Sequence, residues 1–233
     1  MEEYAATLRE ANPECTAALI AATEEGAVDQ FLSGEVNGAV IAGKIDAEVR
    51  RKAEEKGGPI NEKQLGYISL AVIVNAKLPI EYLIMDQARK VFSGMITNWK
   101  ELGGPDQPIE VATRAAPEHG AAVVFQRDVL KGAPFSGQAR VVKSYHAMAS
   151  ICGKSPAIGY IPTASIWYQK TVDAGAKPIT LAIDQNSRAL HAPLGLVVET
   201  EYPLKVPVTI YWRKAAAPKC LEELIALVEK SVQ

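Results

Sequence analysis

The chain has 233 residues and a mass of 25.0 kDa. That is the length of one large domain or two lobes, and it can bury a core without disulfides or a structural metal. Charged residues at 22% and hydrophobic ones at 48% exclude a disordered or fibrous chain. Lys plus Arg total 25 against 27 for Asp plus Glu, so the basic excess of a nucleic-acid binder is missing.

The longest apolar run, residues 67–74, falls far short of the roughly 20 residues that a transmembrane helix needs. The opening Met1-Glu2-Glu3 has the wrong charge for a signal-peptide n-region, though a mature chain preceded by an added Met reads the same way. Cys15, Cys152 and Cys220 have no metal spacing. An odd count allows one bridge and a free thiol at most; three ordinary thiols are the expectation.

Strand-like and helix-like segments alternate in chain order. Residues 16–22 read as a buried strand, 26–32 as a short helix, 38–42 as a strand and 45–56 as a charged, exposed helix. Residues 67–75 form a long apolar strand. A helix over 86–93 follows, with Asp86 as its N-cap and Gly94 at its stop. Then come a strand at 108–112, a helix at 120–131, a strand at 140–143, a helix at 144–152 and a strand at 157–161. A strand at 206–212 and an amphipathic helix at 218–230 close the series. This alternation predicts an α/β fold with mostly parallel sheets flanked by helices. Residues 1–63 carry 13 acids and 7 bases, whereas residues 76–159 carry 7 acids and 10 bases.

Several chemical motifs fail. Gly153-Lys154-Ser155 imitates the end of a P-loop, but the required earlier glycine is Met148. There is no GxGxxG and no GxSxG, and His119, His146 and His191 are scattered. Nothing assembles a nucleophile, a base and an orienting group, so an enzyme is not expected, and neither is a cofactor or a metal.

Residues 91–114 (VFSGMITNWKELGGPDQPIEVATR) are the informative segment. They read as a helix end, a Gly stop, an Asn-Trp anchor, a Gly-Gly-Pro turn and a strand that ends at Arg114. Such a strand delivers Arg114 to the carboxyl edge of a parallel sheet, where open α/β folds bind ligands. Phe92, Gly94, Ile96, Trp99, Gly103, Gly104, Pro108, Ile109 and Arg114 match a run typical of phosphate-type periplasmic substrate-binding proteins of ABC transporters. Residues 70–75 resemble that family's first hinge strand, 156–160 its return crossing, and 202–204 with 208–211 a late strand of its first lobe.

The resemblance implies two α/β lobes, with two hinge crossings, that close on a ligand. Lobe one would hold residues 1–75 and 160–233, and lobe two residues 76–159. It further implies a periplasmic or extracellular location and delivery of a small polar ligand or oxyanion to a membrane permease or another protein partner. Residues in the family's ligand positions are Thr23, Glu24, Glu25 and Gly26 before the second helix, and Arg114, Glu118, His119 and Gly120 in the third loop. Asn37 stands where the family carries an Asp.

These positions also depart from the family. Arg114 stays, but the hydroxyls that should follow it are gone, and the chain opens inside what should be the first helix. A carboxylate about 4 Å from a phosphate oxygen costs roughly 4 kcal/mol at an effective dielectric of 20. Glu24, Glu25 and Glu118 would each add such a repulsion if they face the ligand. Micromolar affinity corresponds to only about 8 kcal/mol. Tight phosphate binding is therefore not expected, and a zwitterion, a polar organic molecule or a cation fits better. A binding-protein fold reused as a sensor or interaction module is the alternative. An ordinary phosphate binder with shifted ligand loops is the second alternative.

Overall fold

The computed structural model describes residue 10 and residues 24–114, 121–163, 165–213 and 219–232. The expected strand at 16–22 lies outside them. The rest forms the α/β fold that the alternation predicts. Two compact units meet along the chain between residues 67 and 68 and between 206 and 207. The expected boundaries, 75/76 and 159/160, differ from these.

The N-terminal unit contains helix α1 (Glu24–Ser33), strand β1 (Gly38–Ala42) and helix α2 (Ala47–Gly57). It also holds the first half of strand β2 (Ile60–Asn75), most of β9 (Lys205–Arg213) and helix α7 (Lys219–Val232). β1 runs antiparallel to β9 from Gly38↔Trp212 to Ala42↔Val208, and β9 lies between β1 and β2 in the strand order. Phe31, Ile41, Ile60 and Tyr211 form the centre of its core. α2 begins at Asp46, whose carboxylate accepts the N–H groups of Glu48 and Val49 as an N-cap should.

Arg213 ties this unit together. It is 9% exposed and pairs with no carboxylate among the described residues. Its guanidinium instead donates to the carbonyls of Phe31 and Leu32, at the C-terminal end of α1, and of Ala53 in α2. At α1 the charge thus sits at the negative end of the helix dipole. Gly57 has to be glycine here, because a Cβ would stand 2.1 Å from Arg213 Nη1.

The second unit holds β3 (Tyr82–Ile84), α3 (Met85–Phe92), a 3₁₀ turn (Trp99–Leu102), β4 (Glu110–Arg114), α4 (Ala121–Asp128) and β5 (Arg140–Val142). It continues with α5 (Tyr145–Lys154), β6 (Ala157–Pro162), α6 (Ser165–Asp173), β7 (Ala176–Pro178) and β8 (Thr180–Ala182). Its sheet has the order β2-β6-β4-β5, with β7 also on β2 and β3-β8 as a separate pair. The β4–β5, β4–β6 and β3–β8 pairs are parallel, whereas β6 and β7 run antiparallel to β2.

Residues 160–206 belong to this unit for a visible reason. The second half of β2 pairs with β6 and β7, and Tyr202 Oη donates to the Leu70 carbonyl. The Leu70 N–H donates to Leu204, and the Ser69 N–H donates to Thr163 Oγ1 at 3.1 Å.

Two further expectations change. Asp86 is not an N-cap. α3 starts one residue earlier, Gln87 accepts the Ile84 N–H, and Asp86 pairs with Arg89 and Lys90 along the helix. Gly94 does stop that helix, at φ +80°. The Gly153-Lys154-Ser155 run ends α5, where a Cβ on Gly153 would fall 1.7 Å from the Ala174 carbonyl. Three ordinary thiols are also overturned, since Cys220 is disulfide-bonded while Cys152 is a buried free thiol.

Arg213→Met is expected to lower stability by about 2–4 kcal/mol, because three buried carbonyls lose a charged donor. Gly57→Ala should destabilise the wild type by pushing the guanidinium aside, yet be neutral or stabilising when combined with Arg213→Met. Urea unfolding of the single and double variants measures both.

Candidate functional site

β4 is parallel to both of its neighbours, and Arg114 is its last residue, in register with Val142 of β5. The anchor upstream is built as its sequence suggests. Asn98 Oδ1 accepts the Lys100 N–H, Gly103 is left-handed at φ +80°, and the buried Trp99 donates from Nε1 to the Pro156 carbonyl at 2.7 Å. Trp99 is thus part of the scaffold.

A second support lies beneath Arg114. Thr113 Oγ1 donates to the Arg114 carbonyl at 3.2 Å, which leaves the Tyr160 hydroxyl to donate to Thr113 Oγ1, also at 3.2 Å. The Tyr160 ring stacks on Phe125 of α4, with centroids 4.1 Å apart, inside a cluster with Phe92 and Phe135. Arg114, at the end of β4, and helix α4 therefore both rest on Tyr160. Its N–H donates to Met148 Sδ at 3.1 Å, which ties in α5 as well.

The Arg114 guanidinium is half-buried. Its Nε is fully buried and has no hydrogen-bond partner among the described residues. Its Cζ lies 4.8 Å from the centroid of the Tyr145 ring, in cation–π range. Tyr145 opens α5 directly after the N-cap Ser144, whose Oγ accepts the Ala147 N–H. Lys143 and His146 flank it, both exposed. No described carboxylate pairs with Arg114. An unpaired buried donor on a cation, carried at the carboxyl end of parallel strands, is suited to receiving an anion oxygen.

The other residues proposed from sequence fall as follows. Thr23, Glu118, His119 and Gly120 lie outside the described residues. Glu24, Glu25 and Gly26 make up the first turn of α1, with Gly26 half-buried. Asn37 is exposed beyond the other end of that ten-residue helix, about 15 Å along its axis, and its carbonyl accepts the Arg213 N–H. The structure therefore does not bring Asn37 to the α1 N-terminus.

Tyr145 escaped the sequence reading. The signal was present, because a helix starting at residue 144 after a strand at 140–143 puts residue 145 at the same sheet edge as Arg114. Elsewhere in this unit, a cavity of about 430 Å³ is lined by Leu181, Ile183, Ser187, Arg188, Leu190, Glu201 and Pro203. None of the residues proposed from sequence lines it. Among the described residues no group of three His, Cys, Asp or Glu could hold a metal ion. No described helix is long and apolar enough to cross a membrane.

Burial pushes the Tyr160 phenol above its usual range, against smaller opposing effects from Thr113 and Arg114. Burial does the same to Tyr202. A phenol raised above its ordinary value of about 10 stabilises the fold below that pH, and the contribution is lost as pH rises through the raised value. Stability is thus expected to fall above about pH 10. Tyr160→Phe and Tyr202→Phe should each lessen that slope, as read from unfolding midpoints against pH.

A family model described as a PBP superfamily domain matches residues 1–228. The phosphate-binding protein PstS of Bacillus subtilis is 32% identical over 132 residues, which is 56% of this chain and 43% of that relative. The aligned stretch is thus less than half of the relative's length. A Clostridium perfringens structure described as a phosphate ABC transporter substrate-binding protein with bound phosphate is similar at a TM-score of 0.74. It shares 19% identity and covers 97% of this chain and 86% of its own. An ABC-type phosphate transport receptor from Vibrio cholerae is similar at a TM-score of 0.68 and 22% identity, covering 98% and 88%.

Proposed function

The chain belongs to the PBP superfamily, and from that premise we propose that it is a non-enzymatic solute-binding protein that captures a small polar anion at Arg114 and delivers it to a membrane permease. The observation that carries this reading is the buried Arg114 Nε, left without a partner at the carboxyl end of β4. A donor of that kind costs about 1–3 kcal/mol until an acceptor arrives. An anion oxygen relieves that cost and meets a full positive charge.

The ligand of this reading is an organic anion or zwitterion, and phosphate binds only weakly. The residues after Arg114 read Ala115-Ala116-Pro117-Glu118-His119-Gly120, with no hydroxyl and one carboxylate. A multiply charged oxyanion stripped of water needs many donors, whereas a single carboxylate group is matched by one guanidinium. The disulfide at Cys220 supports an oxidising compartment, and hence an exported protein.

The test is thermal unfolding against phosphate, sulfate, molybdate, small organic carboxylates, divalent metals and amino acids at constant ionic strength. A ligand with Kd near 1 μM, present at 1 mM, stabilises by about 4 kcal/mol, a shift on the order of 10 °C for this size. We expect such a shift with an organic anion or zwitterion and its loss in Arg114→Ala. A shift of that size with phosphate alone would restore phosphate transport. A flat response across the panel would remove solute capture.

A further inference from the structure

We propose that Tyr145 is the positioning residue for Arg114: its ring holds the cation while leaving the guanidinium N–H donors for a two-oxygen anion. This rests on the reading that Arg114 anchors the ligand.

Three observations support the assignment. First, the guanidinium carbon of Arg114 lies over the Tyr145 ring, 4.8 Å from its centroid. All five guanidinium N–H groups lie in one plane, and an aromatic face holds the cation without a carboxylate or carbonyl oxygen taking up those donors. Acceptors with two coplanar oxygens match those donors: a carboxylate, or one edge of a tetrahedral oxyanion.

Second, the Arg114 backbone and the Tyr145 helix are held by separate supports that meet in register. The Arg114 carbonyl is fixed through Thr113 and Tyr160, whereas Tyr145 opens α5 after the Ser144 cap, three residues beyond the register partner Val142. With both backbones fixed, the ring contact is what restrains the long cationic side chain before any ligand arrives.

Third, the partner is aromatic. A carboxylate here would also hold the arginine, but it would neutralise the charge and compete for the same N–H edge. A ring quadrupole orients the cation and leaves its charge for the ligand. No described carboxylate takes that role, and Lys143 and His146 flank the ring.

The test follows the Arg114 Nε–H resonance of the full chain by ¹⁵N NMR during titration with inorganic phosphate and, separately, sodium acetate. The variants are Tyr145→Phe, Tyr145→Leu, Tyr145→Ala and Arg114→Ala. Tyr145→Phe should keep wild-type affinity within about twofold. Tyr145→Leu and Tyr145→Ala should weaken it about three- to tenfold while the unfolding midpoint of Tyr145→Leu stays near wild type. Phosphate and acetate report which two-oxygen group the edge prefers. If Arg114→Ala, followed through neighbouring backbone resonances, binds either anion as wild type does, or if neither anion moves the Arg114 signal, the anchor reading falls and the proposal falls with it. If Arg114→Ala abolishes binding while Tyr145→Leu binds like wild type, only the positioning role of Tyr145 is overturned. A Tyr145→Phe variant as weak as Tyr145→Leu also overturns it, since the hydroxyl rather than the ring face would then matter.

Discussion

Strand β2 is the constraint on which both units depend. It is one unbroken run of sixteen residues, and the division between the units falls within it, between residues 67 and 68. Its character changes along its length. Glu62, Lys63 and Gln64 are exposed, whereas every residue from Ser69 to Asn75 is buried. A run of buried residues without alternation marks a strand covered on both faces. The second unit is assembled around that half, with β6 and β7 paired to it and Tyr202 and Thr163 bonded to its backbone. Asn75 ends the strand by donating to the carbonyls of Gly153 and Ser155. The same residue thereby fixes the C-terminal end of α5, whose first residue is Tyr145.

Two arginines show what a buried cation does in each unit. Arg213 is fully engaged, with three carbonyl acceptors and the Phe31 ring 5.3 Å away. Arg114 also lies over a ring, but its buried Nε has no acceptor. A fold that can satisfy one arginine with backbone carbonyls has no general need to leave another unsatisfied. Most buried donors in proteins are paired, and an exception calls for an explanation. A site awaiting an anion is an explanation that also accounts for the position of Arg114 at the carboxyl edge of β4.

The sequence made much of this legible, and the failures have physical causes. β1, β6 and β9 lie where apolar runs and turn residues put them, because each is long enough or regular enough to leave a pattern, and the short β5 falls inside the expected 140–143 segment. β3, β7 and β8 have three residues each and are held by partners distant in sequence, such as Leu83 opposite Leu181. No local pattern encodes such pairings. Asp86 looked like a cap because the residue type favours caps, yet the Gln87 side chain supplied the bond to Ile84. Arg114 could be found because its strand, turn and anchor are all local in sequence. The helix start put Tyr145 at the same sheet edge, but its contact with Arg114 needed the β4–β5 register, a pairing across about thirty residues of chain. The charge of Glu118 and the lost hydroxyls were legible as chemistry, since they depend only on residue type.

That chemistry bears on the class of ligand. Two hydrogen bonds from one guanidinium contribute about 1.5–3 kcal/mol each, whereas micromolar affinity needs about 8. On the proposed reading, Arg114 alone falls short of that by several kcal/mol even with its geometry fixed in advance. A phosphate ion presents nothing but oxygens, so the shortfall would have to come from further donors, and the residues after Arg114 offer no hydroxyl and one carboxylate. An organic anion carries apolar surface as well, and each buried methylene adds about 0.8 kcal/mol. The Tyr145 ring beside the guanidinium offers such surface next to the charge. On that reading, a site with one strong cation, an aromatic face and few hydroxyls would discriminate in favour of ligands that are partly apolar, by what it omits as much as by what it supplies.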